Sequence, residues 1–485
     1  MKNYKSMKNL SSILILAAAI LLGGCDKFEE INTDPARSST TLPEYLLANA
    51  QKAASDLVYA NYYNARIGME LAQYWTGTDK TSEARFLFSN DAFWNGLYAG
   101  PLADLQEISN YYADNPTETS DAMLAVSEVM KAWIFHILTD VYGDIPYSEA
   151  LNGGEITQPV FDTGESVYTA LLSSLENQIS TLQGATTAIR GDIMAGNDPA
   201  RWIQIANSLR LRIALRMADV KPSEAQSVIE SASAGAISSG DEDVFFPYNE
   251  AAETNRFPYN DVDRPLVEFA VTSTLIDFLK ETDDPRLPIY ARPDETNGEF
   301  VGKPFGKEEN DPTIIGLSAP GVAAYSGSAP GYLMTFSEVA FIKAEAAERG
   351  MNVGGSAEEW YNIGVTAAMQ QWGVTDSAGI STYLASMPYS AGEWKDVIGT
   401  QKWLALYLQG MQGWLERLRL DFNKPNGEEL FIAPLSGSLD PEVTFLPTRL
   451  NYPSSTRVNN EANSDAAAAR IGGDSQGTKN WWDVN

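Results

Sequence analysis

In a chain of 485 residues, 34 lysines and arginines stand against 64 aspartates and glutamates, a formal net charge of −30. That charge repels phosphate backbones and excludes nucleic acid as a partner. The lone cysteine, Cys25, excludes an intrachain disulfide, and the lone histidine, His136, excludes the clustered His/Cys ligands of a zinc site.

Lys2, Lys5 and Lys8 precede an apolar run from Ile13 to Leu22. A helix needs about 20 apolar residues to span a bilayer, so this shorter run suits the core of a secretory leader. It closes in Leu22-Gly23-Gly24-Cys25, the pattern of a bacterial lipobox. The expectation is a signal peptide over 1–24 and acylation at Cys25, where several acyl chains hold stably and one alone would not. Three lysines leave with the leader, so 31 basic residues then face 64 acidic ones. The cluster Asp26-Lys27-Phe28-Glu29-Glu30 resembles the export signals of surface lipoproteins in Bacteroidota-type bacteria; a plain solvated tether is the alternative. Residues 25–41 are polar and aperiodic, as a lipid-anchored spacer would be. The body then covers 42–485.

Helical periodicity dominates that body. Residues 42–74 predict one long helix or a bent pair, and similar patterns fall at 91–113, 120–139, 165–183, 199–219, 222–232, 265–280, 335–349, 357–372 and 393–418. The helix at 199–219 starts on Asn197-Asp198-Pro199, with proline suited to the first turn. Its Arg201, Arg210, Arg212 and Arg216 predict either a solvated face or pairing with nearby acids. Short strands are expected at 244–246, 430–432 and 442–445. Long stretches at 140–164, 233–264, 282–333 and 419–485 lack a period, and their aromatic content argues against disorder. Two helical hairpins, 335–372 and 199–232, have the spacing of tetratricopeptide units, with small residues such as Ala340, Ala344 and Ala368 to let helices approach. The fold class expected is mainly α, with few short strands.

Catalytic constellations are poorly supplied. His136 lies in an apolar helical run and suits a buried structural role. Gly473-Asp474-Ser475-Gln476-Gly477 has the form of a hydrolase elbow, but no histidine follows it. Paired carboxylates keep a glycoside hydrolase open as a rival reading. The acidic loop Gly240-Asp241-Glu242-Asp243 reads better as solvated charge than as a calcium site, so no metal and no cofactor is expected.

Several phrases, in order along the chain, resemble the SusD/RagB family of outer-membrane nutrient-binding lipoproteins. They are Asn32-Thr33-Asp34-Pro35 behind the lipobox, Asp140-Val141-Tyr142-Gly143-Asp144-Ile145-Pro146-Tyr147, Arg201-Trp202 with Ala206-Asn207-Ser208-Leu209, Glu338-Val339-Ala340-Phe341-Ile342, Gln401 to Tyr407, Arg449-Leu450-Asn451-Tyr452-Pro453 and Trp481-Trp482-Asp483. The resemblance implies tetratricopeptide-like helical pairs as a scaffold and an irregular, ligand-facing half. It implies a non-enzymatic receptor that captures oligosaccharides, in some members peptides. Such a receptor passes them to a SusC-like TonB-dependent transporter from a lipid-anchored position on the outer membrane, facing the exterior.

A sugar site needs aromatic platforms with a few orienting polar groups. In SusD-like proteins the segment after the first helix joins the ligand face, which points to Trp75, Asp79 and Arg85. The long 282–333 stretch adds Tyr290 and Tyr325, expected to complete an aromatic arc with Trp75. On this reading Trp75→Ala weakens binding at least about tenfold, or about 1.4 kcal/mol, without unfolding the chain.

Overall fold

The computed structural model describes residues 41–89, 91–117, 120–259, 268–308 and 314–484. The expected leader, Cys25 and nearly all of the tether lie outside these residues. The body from Pro43 onward forms one contact unit.

Its helices follow the periodicity closely. α1 (Pro43–Val58) gives way to a π-helix, Asn61–Gly68, and a last turn, Met69–Leu71, so the expected 42–74 helix is the bent version. α2 (Asp91–Leu97) and α3 (Ala103–Asp114) flank a second π segment that holds Pro101. α4 (Ser120–Tyr142), α5 (Gly164–Gln183), α6 (Pro199–Arg216) and α7 (Pro222–Ala232) pack consecutively, each on the next. Caps set their starts: the Thr163 hydroxyl accepts from Ser166 N at 3.2 Å, and Asp198 accepts from Ala200 N at 2.9 Å with Pro199 in the first turn. α4 is long and apolar enough to cross a membrane, yet nearly all of it is buried as a central helix of the bundle.

Strand content is small. β1 (Trp75–Gly77) pairs antiparallel with β3 (Phe269–Val271), and β2 (Val244–Phe246) with β4 (Gly331–Met334). Only β2 was expected. The helix expected from 265 begins at Ser273 instead, as α8 (Ser273–Glu281), because the Thr272 hydroxyl caps Leu275 N and the preceding residues are drawn into a sheet with a partner nearly two hundred positions away. Residues 430–432 and 442–445 are irregular rather than strands.

After the short α9 (Leu287–Tyr290), α10 (Phe336–Glu348) and α11 (Ala357–Gln371) form the expected hairpin, the latter opened by a capping box between Ser356 and Glu359. α12 (Ser377–Ser386) follows. The helix expected over 393–418 is two, α13 (Trp394–Ala405) and α14 (Gly410–Leu420). Leu408 turns to φ 74° between them, and Asn64 from the π-helix fills the break: its Nδ2 donates to Leu408 O at 2.7 Å and its Oδ1 accepts from Gly410 N at 2.9 Å. A Cβ at Gly410 would sit 2.2 Å from Met69 N, so glycine permits this crossing and a side chain does not. Two further helices, α15 (Ser454–Asn459) and α16 (Glu461–Ile471), occupy a stretch expected to be irregular.

The arginines of α6 settle the choice between a solvated face and pairing. Arg210, Arg212 and Arg216 are buried; Arg201 is half-buried against Glu242. Arg212 grips Glu338 of α10 through two bonds of 2.7 and 2.6 Å. Arg216 lies between Asp140 of α4 (3.6 Å) and Glu416 of α14 (3.4 Å). Glu416 also receives Lys402 at 2.9 Å and Arg419 at 2.8 Å, and Arg419 forks onto Glu345 at 2.7 and 2.6 Å. One connected set of buried charges thus ties α4, α6, α10, α13 and α14. Burial alone would raise the Glu416 carboxyl, but Arg419, Lys402 and Arg216 outweigh it and hold it well below 4.5; Glu345 is lowered against burial by Arg419 and Arg349.

Removing one partner from such a set leaves buried charge uncompensated, so Glu416→Gln is expected to cost about 3–5 kcal/mol in urea unfolding at neutral pH. Because both folded values lie below the unfolded ones, this contribution is complete above the ordinary carboxylate value and is lost as pH falls through the folded values. The deficit of the variant should therefore shrink on acidification.

Candidate functional site

The segment after the π-helix is held from several sides before it reaches the surface. Gln73 sits at φ 55° and anchors the turn: its Nε2 donates to Ile432 O at 2.6 Å, and its Oε1 accepts from the Thr274 hydroxyl at 2.8 Å. β1 then pairs with β3 in the register Trp75↔Val271, Thr76↔Ala270, Gly77↔Phe269. Beyond the strand, Thr78 N and Oγ1 both donate to Glu268 O. Lys303, buried, donates from Nζ to Gly77 O and Thr78 O, each at 2.9 Å. The loop tip, Asp79 and Lys80, is exposed.

Trp75 itself is 0% exposed. Its ring is boxed by Phe269 at 5.6 Å, Tyr259 at 5.7 Å and Tyr407 at 6.1 Å, and its Nε1 donates to Tyr407 Oη at 3.0 Å. Tyr325 lies parallel over it, centroids 6.0 Å apart and planes within 4°. Tyr290 is likewise 0% exposed: it stacks on Tyr407 at 3.9 Å and donates to Leu404 O at 2.8 Å. The expected arc of Trp75, Tyr290 and Tyr325 therefore exists, with Tyr407 as its hub, but two of its three rings are core. Burial takes Trp75 and Tyr290 off the surface: Tyr290 is spent on attaching α9 to Leu404 and Tyr407, and Trp75 on the aromatic box around β1.

Tyr325 is the ring of the three that keeps some exposed surface. It is half-buried, in a short helical turn, Val322–Tyr325, whose Val322 is 72% exposed. Gly321 brings this turn against α9, since a Cβ there would lie 1.8 Å from Ile289 O, and Gly321 N donates to Tyr290 O at 2.9 Å. Burial pushes the Tyr325 hydroxyl well up, with Arg292 partly opposing, so the phenol stays neutral and able to donate. Arg85 is not in this group. Its Nε donates to Gly437 O at 2.8 Å, its Nη2 to Ser436 O at 3.2 Å, and Nη1 pairs with Glu308 at 2.8 Å. Those bonds give it a local task of joining the 83–85 turn to the 436–437 loop.

Sequence reasoning missed the polar layer beneath the loop. Arg66 pairs with Glu268 at 2.8 Å and lies over the Phe269 ring at 5.4 Å. Glu70 is fully buried; burial and Glu83 push its carboxyl well up, with Arg66 and Lys303 partly opposing. Only their position one helical turn before the loop could have drawn attention to them. Beyond the strand, the loop tip presents the carboxylate of Asp79 and the ammonium of Lys80 on a support held by Lys303. Among the described residues no group of three or more His, Cys, Asp or Glu side chains is placed to hold a metal ion, and His136 is buried beside Asp140 at 3.1 Å.

A family model described as "starch-binding associating with outer membrane", SusD-like, matches residues 35–453. Among solved structures, a chitin-binding protein superposes with a TM-score of 0.81 at 26% identity, covering 92% of this chain and all of that one. A chitin-binding SusD homologue from Flavobacterium johnsoniae gives 0.78 at 23%, covering 91% and 99%. A SusD-like protein from Bacteroides thetaiotaomicron gives 0.77 at 24%, covering 92% and 99%. No curated protein matches the chain.

Emptying the Trp75 box leaves a cavity rather than an open site. Trp75→Ala is therefore expected to lower stability by about 3–5 kcal/mol in denaturant unfolding, which replaces the expectation of a purely binding defect.

Proposed function

Because the chain belongs to the SusD-like family, a family of carbohydrate-binding proteins associated with the outer membrane, we propose that it is a surface lipoprotein that captures oligosaccharides and delivers them to a SusC-like TonB-dependent transporter. Acylation of Cys25 anchors it, and it carries out no chemistry on its cargo. The observation that carries the ligand reading is the Tyr325 ring, fixed parallel over Trp75 and only partly buried, with the backbone of the loop after Trp75 locked in place. A ring held this way costs little further ordering when a sugar's C–H face packs on it. Asp79 and Lys80 supply an acceptor and a donor for hydroxyls at the exposed loop tip. Arg85, Trp75 and Tyr290 act as supports: they fix the loops and do not touch ligand.

The chitin-binding relatives favour a neutral glycan over a peptide. Peptide capture is the other ligand class within the same reading, and a rigid aromatic platform suits pyranose faces better than an extended backbone, which needs a free strand edge.

Tyr325→Ala is expected to weaken oligosaccharide binding by about tenfold, or 1.4 kcal/mol, in calorimetry with unchanged circular dichroism. An unaltered affinity would remove Tyr325 from the site, and turnover of the sugar during titration would overturn the receptor reading. Cys25→Ser should move the protein from the membrane to the soluble fraction; acyl chains found by mass spectrometry on the parent Cys25, and absent in the variant, check the anchor.

A further inference from the structure

Away from the Tyr325 turn, a cleft of about 500 Å³ opens between the end of α14, the 421–448 segment and residues 477–483. Arg417 of α14 lines it and is 3% exposed. Its Nη1 donates to Leu71 O at 2.8 Å, while its Nη2 is buried with no hydrogen-bond partner among the described residues. The guanidinium lies between two phenyl rings, 4.1 Å from the Phe431 centroid and 5.2 Å from that of Phe445. Burial pulls Arg417 down to about 9, with Asp421 only partly opposing, so it remains charged at neutral pH. This contrasts with Arg212, Arg216, Arg286 and Arg419, each of which is buried with a carboxylate in direct contact. A buried donor without a partner costs about 1–3 kcal/mol, more when charged, and the two ring contacts offset the charge without giving Nη2 an acceptor.

The chemistry of the walls narrows what would. The rim carries the exposed carboxylates Asp421, Glu429 and Glu442, and the rim ammonium of Lys479 has Asp483 at 3.7 Å. An anionic ligand would meet these carboxylates and the net charge of the chain, and is disfavoured. An apolar ligand would desolvate them without compensation. A neutral molecule with many hydroxyls satisfies every group. An acceptor oxygen takes the Arg417 N–H, hydroxyl donors meet the rim carboxylates, and a C–H face lies on Phe445, which at 46% exposure is the open wall of the cleft.

We propose that this cleft is a second saccharide-binding site, with Arg417 as the buried donor, Phe445 as the platform and the rim carboxylates as hydroxyl acceptors. It shares the ligand class proposed above but none of the residues of the Tyr325 loop, so the two readings fail separately.

The test is calorimetric titration of chitohexaose, and separately maltohexaose, into the full chain and its variants, with circular dichroism as the control for folding. With the Tyr325 platform removed by Tyr325→Ala, one saturable binding event should remain for at least one hexasaccharide. Adding Phe445→Ala should weaken that event by about tenfold, as should Arg417→Met if it folds; Phe445→Ala, on an exposed side chain, decides the matter if it does not. Loss of all binding on Tyr325→Ala alone, or a remaining event indifferent to Phe445→Ala, overturns the second site. If Tyr325→Ala changes nothing while Phe445→Ala abolishes binding, the cleft stands and the loop site falls. Failure of the parent chain to bind either hexasaccharide overturns both.

Discussion

The scaffold depends on charges that water cannot reach. Glu416 accepts from Lys402 and Arg419 and faces Arg216, and Arg419 passes the link to Glu345. Helices distant in sequence are thereby keyed to one register, since each guanidinium fork fits its carboxylate in one geometry only. Replacing such a set by apolar residues can be neutral or better for stability, whereas breaking it is costly. Its value in a bundle of amphipathic helices is that sliding one helix by a turn would strand several charges at once.

On that frame the molecule divides its aromatic residues between two tasks. Tyr74, Trp75, Tyr290, Trp403 and Tyr407 are fully buried and joined by ring contacts and by hydroxyl or indole donors to backbone carbonyls or to one another. Tyr325 keeps part of its surface exposed, and Phe445 is 46% exposed. An outward ring backed by a packed one loses little freedom when a ligand arrives, which is the condition for weak, planar contacts to sugars to become useful.

Rigidity in the loops has the same origin. Lys303 spends its ammonium on two carbonyls of the 77–78 loop, and Arg85 spends its guanidinium on two carbonyls and Glu308. Arg85 was expected to meet ligand; like Lys303, it is a cation that the fold uses to hold loops. Arg417 has the opposite character, a buried cation flanked by rings with one nitrogen unused. The distinction is one of coordination rather than residue type.

The helical body, most helix starts and the tetratricopeptide-like hairpin of α10 and α11 were all legible in the sequence, because periodicity and caps are local properties. The same holds for the burial of His136 in an apolar run. What only the tertiary structure decided was the fate of single side chains whose partners lie hundreds of residues away. Trp75 looked like a loop ring until β3, Tyr325 and Tyr407 closed on it, and the α6 arginines looked equally fit for water until Glu338 and Glu416 met them. The helix expected through 406–409 broke because Asn64, more than three hundred positions earlier, supplied a better cap than the next turn did. A periodic pattern specifies that a face will be buried; which atoms bury it, and whether a ring or a charge is left over for a ligand, depends on contacts that chain order does not encode locally.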